Sequence, residues 1–300
     1  MGWCVDLEMI RRIIQISLLK NVIKAHVPFI LISRIKYIYF LLIDIINLSS
    51  GKNEELVPPL RLMFDGPRNI EIFKKSGDEF LKYYKDLCDF KPEQNILDVG
   101  SGIGRKTIPL IRYINKNGRY NGLDISKIGI NWCKNNISTK HENFVFKHID
   151  VHNKIYNPNG RILASDLIFP YDSNCFDLVV ANSLFTHMLP KDINNYLKEI
   201  SRVLKYGGKC FCTFFLLEKK LFNTFIPNSS SPNFQYKYNN YRTNNKRAHE
   251  DAVCYPENFI FNLLETNNLI VVEPINYGAW NNGDNALTFQ DIIIANKIKR

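Results

Sequence analysis

From Asn95 onward, short apolar runs that finish in a polar residue alternate with segments of helical spacing, and this alternation constrains the fold more than any other feature. Strands are expected at Asn95–Gly100, Tyr120–Ile125, Asn143–Asp150, Phe176–Asn182, Lys209–Leu217, Leu269–Ile275 and Phe289–Asn296. Helices are expected near Arg105–Asn115, Lys127–Ile137, Lys191–Val203 and Pro256–Thr266, after an earlier one from Ile70 through Leu87. Strands separated by helices build a parallel sheet covered on both faces, so the class is α/β. The last two strands are separated only by a loop around Gly278–Ala286, too short for a helical crossover, and should pair antiparallel.

With 300 residues and 45% apolar content, the chain can bury a full core as one large domain or one domain with additions. Its seven cysteines (Cys4, Cys88, Cys133, Cys175, Cys210, Cys212, Cys254) are odd in number, scattered and free of CxxC pairs, which argues against a disulfide framework and for a reducing, cytoplasmic setting. Cys210 and Cys212 alternate on an expected strand with no partners at zinc spacing, so they read as core residues and no metal site is expected. The net charge of +10 admits an anionic partner, yet lysine is spread along an Asn-, Ile- and Lys-rich chain. Only the cluster Lys237–Arg247 interleaves aromatics, with Phe234, Tyr236, Tyr238 and Tyr241. It reads as a mobile loop over a small-molecule site, within an insertion at about 218–255, or as a surface that stacks on bases.

The first fifty residues are markedly apolar, but Arg34, Lys36 and Asp44 interrupt Pro28–Leu48, whose longest charge-free run is Tyr37–Ile43, so no transmembrane span is expected. Asp6 and Glu8 spoil a signal-peptide n-region. Residues 1–57 read as an N-terminal helical extension, two helices joined near His26–Pro28, and residues 58–300 as the main domain. Residues 1–50 would pack on the domain or a second subunit, or adsorb to a membrane surface, which would make the protein peripheral to the membrane.

In an open parallel sheet, ligands lie outside the carboxyl ends of the strands, so the residue ending each strand is the place to look. The first strand runs into NILDVGSGIGR, with Gly100, Gly102 and Gly104 on a strand-to-helix turn and Asp98 just ahead. The spacing is GxGxG where a dinucleotide fingerprint is GxGxxG, and a carboxylate at Asp98 suits a ligand carrying positive charge better than a pyrophosphate. The second strand ends in Asp124, placed either to fork onto a ribose or to cap the helix from Lys127. The third ends in Asp150 and Val151, a polar and an apolar group able to frame an adenine, or an exposed turn acid. The fourth ends in Asn182-Ser183, followed by LFTHM and Pro190.

These segments, with FPYDSNCFDLVVANSLFTHM and YLKEISRVLKYGGKCFCTFF, resemble the successive motifs of the class I S-adenosylmethionine-dependent methyltransferases. The resemblance spans about Phe64 to Lys297, and the RVLKYGG turn before a strand is its most recognisable element, with Tyr206 where the family commonly has Pro. It implies a Rossmann-like seven-stranded sheet, mainly parallel with a reversed last strand, and S-adenosyl-L-methionine as cofactor. By the same implication Gly100, Gly102 and Gly104 line the methionine part, with Asp98 close beneath, and Ser101 and Arg105 are among the cofactor-binding residues. Asp124 with Ile125 takes the ribose, Asp150 and Val151 the adenine, and Asn182 the region beside the sulfonium. Within the family, FTHM, the FDG loop at Phe64–Gly66 and NYGAW are most like bacterial enzymes that methylate small molecules or sugars.

Methyl transfer to an alcohol profits from a base, and His187 is the best placed candidate; the competing role is ordering its loop. Asp65, Tyr277 and Trp280 are weaker candidates for shaping or lidding the pocket, and His141, His148 and His152 read as surface polar residues. The expected function is O-methylation of a small-molecule or glycan acceptor. The alternatives are an RNA methyltransferase and a binding or scaffold protein without turnover. Asn182-Ser183-Leu184-Phe185 lacks the Pro-Pro-aromatic turn of enzymes that methylate exocyclic amines of bases, so nucleic acid is not the expected partner.

Overall fold

In the computed structural model, residues 29–51, 54–225, 232–281 and 286–299 are described, with the side chains of residues 29–34 left aside. The chain divides into two compact units, residues 1–70 and 71–300.

In the first unit, helix α1 (Phe29–Ser49) packs on a single 3-10 turn at Leu60–Leu62. Asp44 holds the two together: its carboxylate accepts the N–H of Leu60 at 2.7 Å, the N–H of Arg61 at 3.2 Å and the Arg61 guanidinium at 2.9 Å. The charge that breaks up the apolar run in the sequence is thus the residue that closes the turn. Arg68 lies over the Phe40 ring at 4.7 Å and donates to the Met63 carbonyl. The earlier of the two expected N-terminal helices falls outside the described residues, and among these no helix is long and apolar enough to cross a membrane.

The second unit opens with helix α2 (Ile70–Cys88) and continues β1 (Asn95–Val99), α3 (Thr107–Tyr113), β2 (Arg119–Asp124), α4 (Lys127–Cys133), β3 (Phe144–His148), β4 (Phe176–Ala181), α5 (Pro190–Val203) and β5 (Leu204–Phe214). There follow β6 (Leu216–Leu217), α6 (Lys219–Thr224), β7 (Tyr236–Lys237), β8 (Arg242–Thr243), β9 (Val253–Pro256), α7 (Glu257–Thr266), β10 (Leu269–Asn276) and β11 (Asp291–Lys297). Seven strands form the main sheet in the order β10-β11-β5-β4-β1-β2-β3. All are parallel except β11, antiparallel to both its neighbours, so the reversed strand lies one in from the edge and β10 is the edge itself. The central strands are apolar on both faces, as a doubly covered parallel sheet requires, and β1 is buried from Ile96 to Val99. Fully buried rings such as Phe146 and Phe211 contribute roughly 2–3 kcal/mol each to folding.

The RVLKYGG segment is a bulge: Phe176 pairs with Leu204 and Leu178 with Lys209, while Gly207 takes φ +76°. Where the sequence suggests a loop, residues 216–256 build a second sheet, β6-β9-β8-β7. The reason is a local core of Phe215, Leu217, Phe222, Phe234, Ala252, Cys254 and Trp280, small enough to escape a periodicity search. Arg242 lies inside it, 7% exposed, donating to the carbonyls of Phe234 and Phe222 at 2.8 Å each.

Candidate active site

The three loop glycines after β1 all have positive φ, +88° at Gly100, +58° at Gly102 and +85° at Gly104, a region where any side chain is strained. The loop is pinned from β2. The Leu123 carbonyl accepts the N–H groups of Gly100 at 2.7 Å and Ser101 at 3.2 Å, and Asp124 accepts the Gly102 N–H at 2.8 Å and the Ser126 N–H at 2.6 Å. Of the two readings for Asp124, the helix cap goes elsewhere: Ser126 Oγ accepts the Gly129 N–H at 3.2 Å at the start of α4. Asp124 braces the glycine loop instead.

Asp98 is 2% exposed, and its Oδ2 accepts the Tyr120 hydroxyl at 2.8 Å, which in turn accepts the Thr107 hydroxyl at 2.7 Å. Burial, and secondly the Asp98 charge, push the Tyr120 phenol well up, so it stays a donor. Two nearby oxygens, Ser101 Oγ and Asn182 Oδ1, are buried and have no hydrogen-bond partner among the described residues. Each such atom costs about 1–3 kcal/mol until something donates to it. Gly122 makes the space beside Ser101: a Cβ there would lie 3.0 Å from Ser101 Oγ and 2.6 Å from the Phe146 ring. Asn182 is steered by a residue that sequence reasoning missed, Tyr84 on α2, whose hydroxyl accepts from Asn182 Nδ2 at 2.6 Å. Nothing in the spacing of α2 marks Tyr84 apart from its core neighbours.

Other expected contacts are engaged inside the protein. The Arg105 guanidinium lies over the Phe73 ring at 4.7 Å, 5% exposed, beneath α2. The Ile125 carbonyl accepts from His148 Nε2 at 3.1 Å, so His148 serves the site's frame rather than the surface. Val151 is buried, while Asp150 pairs with Arg161 at 2.6 Å, a bond that holds its carboxyl below the usual range. The backbone of this segment is closed by Arg161 and Ile162, whose N–H groups both donate to the Asp150 carbonyl.

Past β4 the chain turns through Ser183, at φ +53°, a strained value for a residue with a side chain. The turn is held by residues remote in sequence: the Ser183 N–H donates to Thr213 Oγ1 at 2.7 Å, and both hydroxyls donate to Gln290 Oε1. His187 follows, its Nδ1–H donating to the Glu250 carbonyl at 3.0 Å and its ring edge-on to Tyr156 at 5.5 Å. Because a carbonyl can only accept, this bond places the proton on Nδ1 and leaves Nε2 as an acceptor. The buried Oε2 of Glu250 has no hydrogen-bond partner among the described residues.

Trp280 is not a lid: it is fully buried in the small core, and its indole N–H donates to Asp291 at 2.7 Å. Asp291 also accepts the N–H groups of Gly278 and Leu216 at 2.7 Å each, tying the NYGAW segment to the start of β6. Burial raises its carboxyl to about 6 against the pull of those donors. Tyr277 is half-exposed with its phenol pushed up, by partial burial first and then by Glu257. Asp65 belongs to the first compact unit. Among the described residues no three His, Cys, Asp or Glu side chains group to hold a metal.

Comparison with known proteins shows the family and the fold. A family model described as a methyltransferase domain matches residues 90–249. An arsenite methyltransferase of Rattus norvegicus is 30% identical over 120 residues, 39% of this chain and 30% of the relative. A ubiquinone/menaquinone biosynthesis C-methyltransferase of Wigglesworthia glossinidia brevipalpis is 32% identical over 118 residues, 39% of this chain and 41% of the relative. The matches thus span less than half the length of either relative. A solved protein of Pyrococcus horikoshii OT3 shares the fold with a TM-score of 0.50 at 16% identity, over 76% of this chain and 92% of that one.

Proposed function

Because this chain belongs to the methyltransferase domain family, we propose that it transfers a methyl group from S-adenosylmethionine to a hydroxyl oxygen of a small molecule or sugar. The observation that carries the reading is His187: at the end of β4, its Nδ1–H is committed to the Glu250 carbonyl and Nε2 is left to accept a proton. When bound, S-adenosylmethionine supplies an electrophilic methyl group on a sulfonium. The residues present fit it. The buried carboxylate of Asp98 suits its positive charge, and the buried oxygens of Ser101 and Asn182 await donors. Gly100, Ser101, Gly102 and Gly104 would hold the methionine part, Asp124 and Ile125 the ribose, Asp150 and Val151 the adenine, and Asn182 the region beside the sulfur.

His187 Nε2 would take the proton of the acceptor hydroxyl as its oxygen becomes the nucleophile, and S-adenosylmethionine would supply the methyl group and leave as S-adenosylhomocysteine. Alignment of those atoms in a dry pocket supplies much of the rate. A small acceptor is supported by what the basic, aromatic segment does. Arg242 is buried, Lys237 donates to Asn223, and Tyr238 and Tyr241 stack on each other at 4.8 Å while their hydroxyls meet His249. Arg242 is thereby withdrawn from phosphate contact and the paired rings of Tyr238 and Tyr241 from base stacking, while Lys237 stays exposed. The two relatives named for arsenite and for quinone biosynthesis point the same way.

The test is transfer of labelled methyl from S-adenosylmethionine to a panel of alcohols, phenols, sugars and RNA. Incorporation into a hydroxyl compound is expected; specific incorporation into RNA, or no cofactor binding by folded protein in calorimetry, overturns the reading.

A further inference from the structure

Among the described residues, helix α1 has one face in use and one exposed. Phe40 and Asp44 face the turn and Arg68, within their own unit. On the opposite side Ile35, Ile38, Leu42, Ile45 and Ile46 are each 46–56% exposed, and at helical spacing they fall in one stripe about 100° wide. Of the 22 large apolar side chains exposed among the described residues, seven lie on this one helix of 21 residues. Such a concentration marks a surface meant to be covered.

Charge decides by what. Arg34 and Lys36 flank the start of the stripe, and before them the chain carries Arg11, Arg12, Lys20 and Lys24 against Asp6 and Glu8. A second copy laid on the stripe would bring like charges together, whereas an anionic lipid surface complements them. The helix is also too charged to cross a bilayer. We propose that α1 docks on a membrane surface, sinking the stripe from Ile35 to Ile46 to the boundary between anionic headgroups and acyl chains. This stands apart from the methyl-transfer reading and needs none of the residues assigned to it.

The experiment is co-sedimentation of the full chain with vesicles of phosphatidylcholine alone and of phosphatidylcholine mixed with phosphatidylserine. Binding to the mixed vesicles is expected, weakening with added salt. The combined substitution Ile38→Glu, Leu42→Glu, Ile45→Glu should lower the bound fraction by about tenfold or more, with the thermal melt of the protein unchanged. Should that variant misfold, Arg34→Gln with Lys36→Gln, which leaves the apolar stripe itself unchanged, should still weaken binding to the mixed vesicles. The proposal is overturned by no binding to either vesicle, by undiminished binding of folded variants, or by a dimer in light scattering that the triple variant dissociates.

Discussion

The two ends of this site are built differently. The proposed cofactor end is assembled mainly from neighbours along the chain: Asp124 reaches the glycine loop across 22 residues and Tyr120 reaches Asp98 across the same span, with Tyr84 on Asn182, across 98, as the exception. The proposed acceptor end is held from afar: His187 is positioned by Glu250 across 63 residues and Ser183 by Gln290 across 107. One end is a backbone device common to any chain with this loop. The other depends on an insertion and on the last strand, both free to change with the substrate.

Substitutions can separate the two ends. The largest effect is expected at His187→Gln, where kcat should fall by roughly 10²–10⁴-fold, the range of general-base catalysis, while calorimetric affinity for S-adenosylhomocysteine stays within error. Loss of both together would tie His187 to the cofactor end and break the comparison. Asp124→Ala should do the reverse at the other end. With the Gly102 and Ser126 N–H groups left without their acceptor, the glycine loop loses its brace and the ribose its proposed carboxylate, so cofactor affinity should drop by roughly 10–100-fold.

Asp291→Asn should destabilise the protein by about 2 kcal/mol in urea unfolding, since an amide turned toward three N–H donors satisfies fewer of them. The same carboxyl has a pH signature. Its folded value is about 6 against 3.8 for the free group, so the folded state holds its proton longer. That contribution to stability is complete below about pH 4 and is lost as the pH rises through about 6; the Asn variant should lack this slope. The smallest effect belongs to Tyr84→Phe, which takes one hydrogen bond from Asn182 and should weaken cofactor binding by about 1 kcal/mol. An equal loss in acceptor KM would show that Asn182 serves both ends.

What could be read before the structure follows this division. The parallel strands, their helices and the reversed partner were visible because each announces itself by local periodicity. So were Asp98, Asp124 and the glycines, which stand at strand ends. Tyr84, Thr213 and Gln290 were not, because a buried tyrosine on an amphipathic helix and polar residues flanking strands look the same whether or not they touch a site. Trp280 escapes the same reading: the rings that bury it and the acid that takes its indole N–H, 11 residues on, are brought together only by the fold. The small sheet was missed because strands of two residues carry no period.

The reversal of β11 sets an order of assembly. An antiparallel strand begins where the parallel strands end, so Gln290, just ahead of β11, and Asp291, its first residue, arrive beside Phe214 at the end of β5. During synthesis the glycine loop, Asp124 and Asn182 are all on hand once β4 has emerged. Gln290 must wait for more than a hundred further residues, so the turn at Ser183 is without this anchor until the last strand emerges.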